Sequence, residues 1–258
     1  MDHVDESPPG AAGSGTPVLQ SGRETTVDLL KVFDATVLAM ATLAEPGEAG
    51  NHIVRIQHYT RALAVKLKTS ATYGRPMSDV AINLLVRAAP LHDIGNSGIP
   101  DRVLLKPGPL SPEEIALVRT HCAIGCAVID HIKAGAGLST QFLEVAREIV
   151  GCHHERWDGK GYPHNLAGEA IPMPARIMAL ADAYDALTSE RVYRAGVAHD
   201  RAVQQIFQDR GEHFDPDMVD ALIEIQDEFA AIARRHVDSL QDQQKKMDYM
   251  AVAIAETP

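Results

Sequence analysis

The sequence predicts an all-α protein, a helical bundle whose core takes in polar, histidine-bearing positions. Three observations lead there. Apolar residues recur at helical spacing through most of the chain, and no convincing run of alternating strands interrupts them. Ala and Leu are frequent while aromatics are only 5%, a composition that leans towards helix and away from a β-sandwich. Helix start and stop signals punctuate the apolar stretches.

Residues 1–23 are rich in Gly, Pro and Ser without apolar periodicity, and read as a disordered tail. Residues 24–46, "ETTVDLLKVFDATVLAMATLAE" and the Pro46 that stops it, read as an N-terminal helix. The main domain is predicted over 47–236. In it, "NHIVRIQHYTRALAVKLKTS" and "SDVAINLLVRAAPLHDIG" are amphipathic helices, the latter capped by Ser78 and ending at Gly95. "SPEEIALVRTHCAIGCAVIDHI" is predicted as one helix, with Ser111 and Glu114 forming a capping box and Pro112 in the first turn. "STQFLEVAREIVGCHHE" opens at Ser139 or Thr140, a Gly-rich turn follows, and "PARIMALADAYDALTS", "DRAVQQIFQDR" and "DPDMVDALIEIQDEFAAIARRHV" complete the set. Residues 237–258 are a polar, weakly helical extension.

The formal charge of −11 argues against broad nucleic-acid or anionic-membrane binding. We expect no membrane span, because no apolar run approaches the roughly 20 residues one needs, and no signal peptide. Cys122, Cys126 and Cys152 are odd in number and form no CxxC, so they read as reduced packing thiols in a reducing cytoplasm. An acidic protein that handles phosphates needs a local cationic element.

The histidines supply a candidate. His52, with Glu48 four residues earlier, His92 beside Asp93, His121, and His153 beside His154 all fall on otherwise apolar helical stretches. Asp182 lies in "ALADAYDAL", where an unpartnered carboxylate would cost several kcal/mol. Helices that each bring one or two ligands inward build multinuclear metal sites in bundle cores. Histidine with carboxylate suits Fe, Mn, Ni or Zn rather than Ca or Mg alone. Asp93 bridging two ions, with His92 on one of them, would explain why the two residues are adjacent. His58, His131, His164, His199, His213 and His236 read as ordinary surface or hydrogen-bonded residues, and Asp158 as a turn-stabilising side chain.

The segments "HDIGNSGIPDRVLLKPGPLSPEE", "HHERWDGKGYP" and "IPMPARIMALADAYDALTSERVYR" together resemble the HD-GYP family, bacterial phosphodiesterases within the HD metal-dependent phosphohydrolases. The resemblance runs from about Gly47 to about Asp220. It implies an HD-type helical bundle, two or three divalent transition metals (iron or manganese first, nickel or zinc as alternatives), and hydrolysis of cyclic di-GMP to pGpG and/or GMP by metal-activated water. It places metal ligands at His52, His92, Asp93, His121, His153, His154 and Asp182, with Glu48 for a third ion. It places the catalytic turn at His92, Asp93 and Asn96, and the substrate loop at Lys160, Gly161, Tyr162 and Pro163. The family's basic Arg-x-x-Lys motif reads Arg191-Val-Tyr-Arg194, a mild change because arginine keeps the charge and adds a bidentate grip. The loop also implies docking of diguanylate cyclases (GGDEF proteins), and the first helix suits a homodimer. One departure counts against turnover: Asn96 stands where the family carries Lys, and a lost electrostatic stabiliser costs about 10²–10³ in rate. A catalytically weak module that binds cyclic di-GMP or a cyclase is therefore the alternative, and a mononucleotide hydrolase the third reading.

Overall fold

The caps written in the sequence start the helices they were expected to start. In the computed structural model, which describes residues 22–45, 51–73, 76–137, 140–190 and 195–255, Ser78 accepts the Ala81 N–H at 3.2 Å and opens α3 (Asp79–Ala88). The Ser111 and Glu114 capping box opens α5 (Pro112–Val118). Thr140 accepts the Leu143 N–H and opens α7 (Gln141–Cys152). The expectations for the 1–21 part of the tail, Glu48, Ser139, Arg191 and Arg194 lie outside the described residues.

The chain divides after Ala35 into two units. To the first, the described residues contribute the opening of α1 (Gly22–Ala44). The second holds the rest of α1 and every later element: α2 (His52–Leu67), α3, α4 (Asp101–Leu104), α5, α6 (His121–Ala136), α7, α8 (Met173–Thr188), α9 (His199–Gln208), α10 (Pro216–Glu224), α11 (Gln226–Arg235) and α12 (Leu240–Ala255). Among the described residues there is no strand, only the isolated bridges Asp158–Ala167 and Arg210–Phe214. The all-α expectation is borne out.

The core of the second unit gathers around α2 and α8, with α3, α7, α10 and α11 packed against them. Ile56, Tyr59 and Leu63 of α2, Ile177, Met178 and Leu180 of α8, Ile149 of α7 and Phe229 of α11 are fully buried. Each contributes roughly 1.5–3 kcal/mol by leaving water. Tyr59 stacks on Phe229 at 4.7 Å and meets Tyr184 edge-on at 5.1 Å, which locks α2, α8 and α11 together.

Three boundaries differ from the sequence reading. The third helix stops at Ala88 rather than Gly95, because Pro90 has no N–H for the ladder; 3-10 turns follow at Ala89–Leu91 and Ile94–Gly98. The fourth is two helices, α5 and α6, where Thr120 Oγ1 donates to the Leu117 carbonyl (2.6 Å) and His121 Nδ1 to the Val118 carbonyl (2.8 Å). The last long helix divides at Ile225, which leaves helical geometry between α10 and α11. The short α4 was not anticipated; it receives α12, whose Tyr249 hydroxyl donates to Asp101 (2.8 Å) and whose Met250 packs on Leu105. One stretch, Pro112–Gly135, is by length and composition long and apolar enough to cross a membrane, against expectation. It is α5 and α6 with the break between them, and it delivers His121 to a polar centre.

Candidate metal centre

The centre is built where α3 gives way. Without Pro90 the helix would continue and His92 and Asp93 would diverge. Instead Asp93 sits between the two 3-10 turns at φ −105°, ψ 17°, and the adjacent side chains converge, with His92 Nε2 3.9 Å from Asp93 Oδ2. Around them α6 brings His121, the end of α7 brings His153 and His154, and α2 opens with His52.

Each ring is oriented by the nitrogen that faces away from the centre. Nδ1 of His92, His121 and His153 lies 3.1, 2.8 and 3.0 Å from the carbonyls of Ala89, Val118 and Ile149. A carbonyl only accepts, so those nitrogens carry protons, and in the neutral ring each Nε2 presents a lone pair inward. His121 Nε2 then lies 3.2 Å and His153 Nε2 3.4 Å from Asp93 Oδ1. Lone pairs facing a carboxylate repel unless a cation joins them. Asp93 Oδ1 and His153 Nε2 are buried with no hydrogen-bond partner among the described residues. Asp93, His121, His153 and His154 form one group whose ligand atoms all lie within 4.8 Å of one another.

A second group of the same kind joins Glu45, His52 and His92. His52 Nδ1 faces Asp185 Oδ2 at 2.7 Å, which leaves Nε2 facing Glu45 Oε2 at 3.3 Å. Both Glu45 carboxylate oxygens are buried without a hydrogen bond. Asp185 is held in turn by Arg55 (Nε to Oδ1 2.5 Å, Nη2 to Oδ2 3.1 Å), and Arg55 reaches on to Asp238 at 3.0 Å and Ser189 at 2.8 Å. Both groups therefore fit divalent transition metals: nitrogen and carboxylate donors, the second backed by a carboxylate on the outer ring nitrogen.

With no cation between them, the carboxylates draw protons onto the neighbouring rings. Burial alone would raise the Asp93 pKa, but His92, His153 and His121 hold it well below the usual carboxylate range. Burial alone would lower that of His52, but Asp185 and Glu45 outweigh it and raise it well above an ordinary histidine. Burial and the neighbouring His153 push His154 well down, so it stays neutral and able to donate a lone pair.

Glu48 lies outside the described residues. Glu45, which the sequence reading passed over, is the carboxylate at His52; it follows the buried Ala41 and Ala44 at the end of α1, and no motif in the sequence marks it. Asp182 is half-buried on α8 and acts on His153 and Tyr162 through its charge, but among the described residues it does not join the 4.8 Å group. The fully shielded acid of that helix is Asp185. Asn96 is buried and its amide donates to Asp93 Oδ2 at 2.9 Å, so it fixes the carboxylate rather than facing outward.

The loop "WDGKGYP" borders the centre. Tyr162 stacks on His154 (4.7 Å, 23°), and its N–H bonds the His154 carbonyl at 3.2 Å. Gly161 has no alternative: a Cβ there would lie 2.3 Å from the Arg156 nitrogen and 2.5 Å from Glu155 Cα. Buried Glu155 accepts the backbone N–H of His164 (2.6 Å) and Leu166 (3.0 Å), tying the loop from below. Asp158 is the turn-stabiliser expected of it, accepting from Arg156 and from the Lys160 N–H. Lys160 and Pro163 are exposed on the rim.

With this geometry in hand, the class is clear. The chain belongs to the HD domain family, which matches residues 50–218. The resemblance read from its motifs is borne out by its relatives, among them the following from Vibrio cholerae. A probable cyclic di-GMP phosphodiesterase is 45% identical over 82% of this chain and 48% of its own length. A cyclic di-GMP phosphodiesterase is 43% identical over 86% of this chain and 45% of its own. A 3'3'-cGAMP-specific phosphodiesterase is 37% identical over 81% and 37%. The chain thus spans about half the length, or less, of the curated relatives it matches.

Proposed function

We propose that this chain hydrolyses a phosphodiester bond of a cyclic dinucleotide, cyclic di-GMP, using two divalent transition metals held by the two ligand groups. The observation that carries the reading is the convergence of inward-facing histidine Nε2 atoms on the buried, unpartnered oxygens of Asp93 and Glu45. When bound, the metals would lower the pKa of a water molecule and offset phosphate charge. The chain's own residues do the rest. Asn96 holds Asp93 Oδ2, and the backbone carbonyls keep each ring in the tautomer that offers Nε2. The Tyr162 ring, stacked on His154, walls the centre on the side of the loop. Arg191 and Arg194 would take substrate phosphate.

Iron or manganese is the metal we favour for this mixed nitrogen and oxygen donor set, and pGpG and/or GMP the product. The three free thiols agree with a reducing cytoplasm. We further propose that the Gly161–Pro163 loop receives diguanylate cyclases and that the first helix serves a homodimer. The test is a metal-loaded, anaerobic incubation with cyclic di-GMP, 3'3'-cGAMP and a mononucleotide, read by chromatography. Steady loss of cyclic di-GMP supports the reading. Preference for 3'3'-cGAMP would move the substrate, and tight binding with no product would make the protein a sensor.

A further inference from the structure

The HD-GYP resemblance leads one to look for a cation at position 96, and the structure closes that position: Asn96 is buried and its amide is committed to Asp93. The neighbouring cations are committed as well. Arg156 pairs with Asp158 at 3.0 Å, Lys160 reaches the same carboxylate at 3.3 Å, and Arg176 pairs with Asp215. Arg119 differs. It lies exposed at the break between α5 and α6, two residues before His121. Its guanidinium carbon is 4.8 Å from the centre of the Tyr162 ring, the ring that stacks on His154 and meets His121 edge-on at 6.4 Å. Among the described residues it has no carboxylate partner. A guanidinium over an aromatic ring spends no N–H donor on it, and two of those donors match two phosphate oxygens. In a chain of net charge −11, an unpaired arginine fixed over the rim of a histidine cluster is placed for an anion.

We infer that Arg119 grips the substrate phosphate at the solvent side of the centre and supplies the positive charge that Asn96 does not. The inference rests on the proposed phosphodiesterase reading. It explains how an uncharged residue is tolerated in the turn: the charge comes from the neighbouring helix break, with Tyr162 as its mount.

The experiment compares Arg119→Met, which keeps length and contact with the ring, with Arg119→Lys, which keeps charge. For each, metal per chain, the Kd for cyclic di-GMP and the rate of its cleavage are measured. Arg119→Met should retain the wild-type metal content and lose about 10²-fold or more in kcat/KM. Arg119→Lys should stay within about tenfold of wild type. An Arg119→Met enzyme within about threefold of wild type overturns the inference, and so does an Arg119→Lys enzyme as impaired as Arg119→Met. If the wild type binds cyclic di-GMP without cleaving it, the phosphodiesterase reading fails while the inference is judged on Kd: weakening in Arg119→Met but not Arg119→Lys upholds it, and unchanged Kd overturns it. A wild type that neither binds nor cleaves removes both.

Discussion

Replacing Gly95 by alanine should take the metal centre apart. Gly95 lies in the 3-10 turn directly after His92 and Asp93, pressed against the first turn of α6. A Cβ built on it would stand 1.9 Å from the His121 carbonyl oxygen and 2.7 Å from the Gly125 nitrogen. No real Cβ contact falls below 3.0 Å, so α6 and the turn must part by at least about 1 Å. The opposing atoms are backbone, and no flexible side-chain end can yield. The cost therefore belongs at the upper end of overpacking, about 3 kcal/mol. For a chain of this length that lowers Tm by roughly 6–12 °C. The separation also enters the site, because His121 Nε2 and Asp93 Oδ1, now 3.2 Å apart, sit on the two surfaces being pushed apart. A misplacement of about 1 Å in such a constellation costs about 10²-fold. Thermal melting and metal titration check this. Gly151→Ala is the control, since its Cβ would meet only the Cys126 sulfur, at 2.9 Å. A Gly95→Ala protein that melts within about 2 °C of wild type and binds metal as tightly would refute the reasoning.

Other outcomes follow from the same geometry. Asp185→Asn removes the carboxylate that faces His52 Nδ1 and pairs with Arg55 Nε, leaving Arg55 only the Asp238 carboxylate, and should weaken metal binding by about 10–100-fold in a competition titration. Glu155→Gln cannot accept both the His164 and Leu166 N–H groups as well as a carboxylate does, and should destabilise by about 1–3 kcal/mol in denaturant unfolding while metal content holds. His213 is held neutral, its pKa lowered from the ordinary 6.5 by burial and by Arg156. The unfolded chain then binds the extra proton, so this contribution is intact above pH 6.5 and is lost as pH falls below it. His213→Gln should therefore lose less stability than wild type between about pH 7.5 and about pH 5.5 in metal-free unfolding curves, and parallel losses would contradict the assignment. Chelation should lower Tm, since metal at 100 times its Kd adds about 2.7 kcal/mol to stability.

What the sequence made legible was local. Ser78, Ser111 with Glu114, and Thr140 could be read as caps because each bonds a backbone group three residues away. The ligand-bearing residues His52, His92, Asp93, His121, His153 and His154 stood out because titratable side chains interrupted apolar helical stretches, and the structure brings their ligand atoms into two groups. What was hidden depended on distant partners. Asp185 and His52 are 133 residues apart, and from sequence Asp182 was the more conspicuous acid of the same helix. Glu45 gains its place only when the end of α1 meets His52 and His92. The break before His121 was also hidden, because it comes from side chains bonding the carbonyls of Leu117 and Val118, with no proline or glycine to mark it. Pro90 was visible in the sequence, and its effect on the ladder explains why an adjacent histidine and aspartate face the same way.

The central claim is that Asp93 joins a metal centre that cleaves a phosphodiester. The most direct measurement purifies wild type and Asp93→Ala without oxygen, counts metal per chain, and follows cyclic di-GMP by chromatography. The account predicts at least two metals and steady product for wild type, with metal and turnover both lost in Asp93→Ala. Full turnover by Asp93→Ala, or a wild type that cleaves cyclic di-GMP after complete removal of its metal, would contradict it.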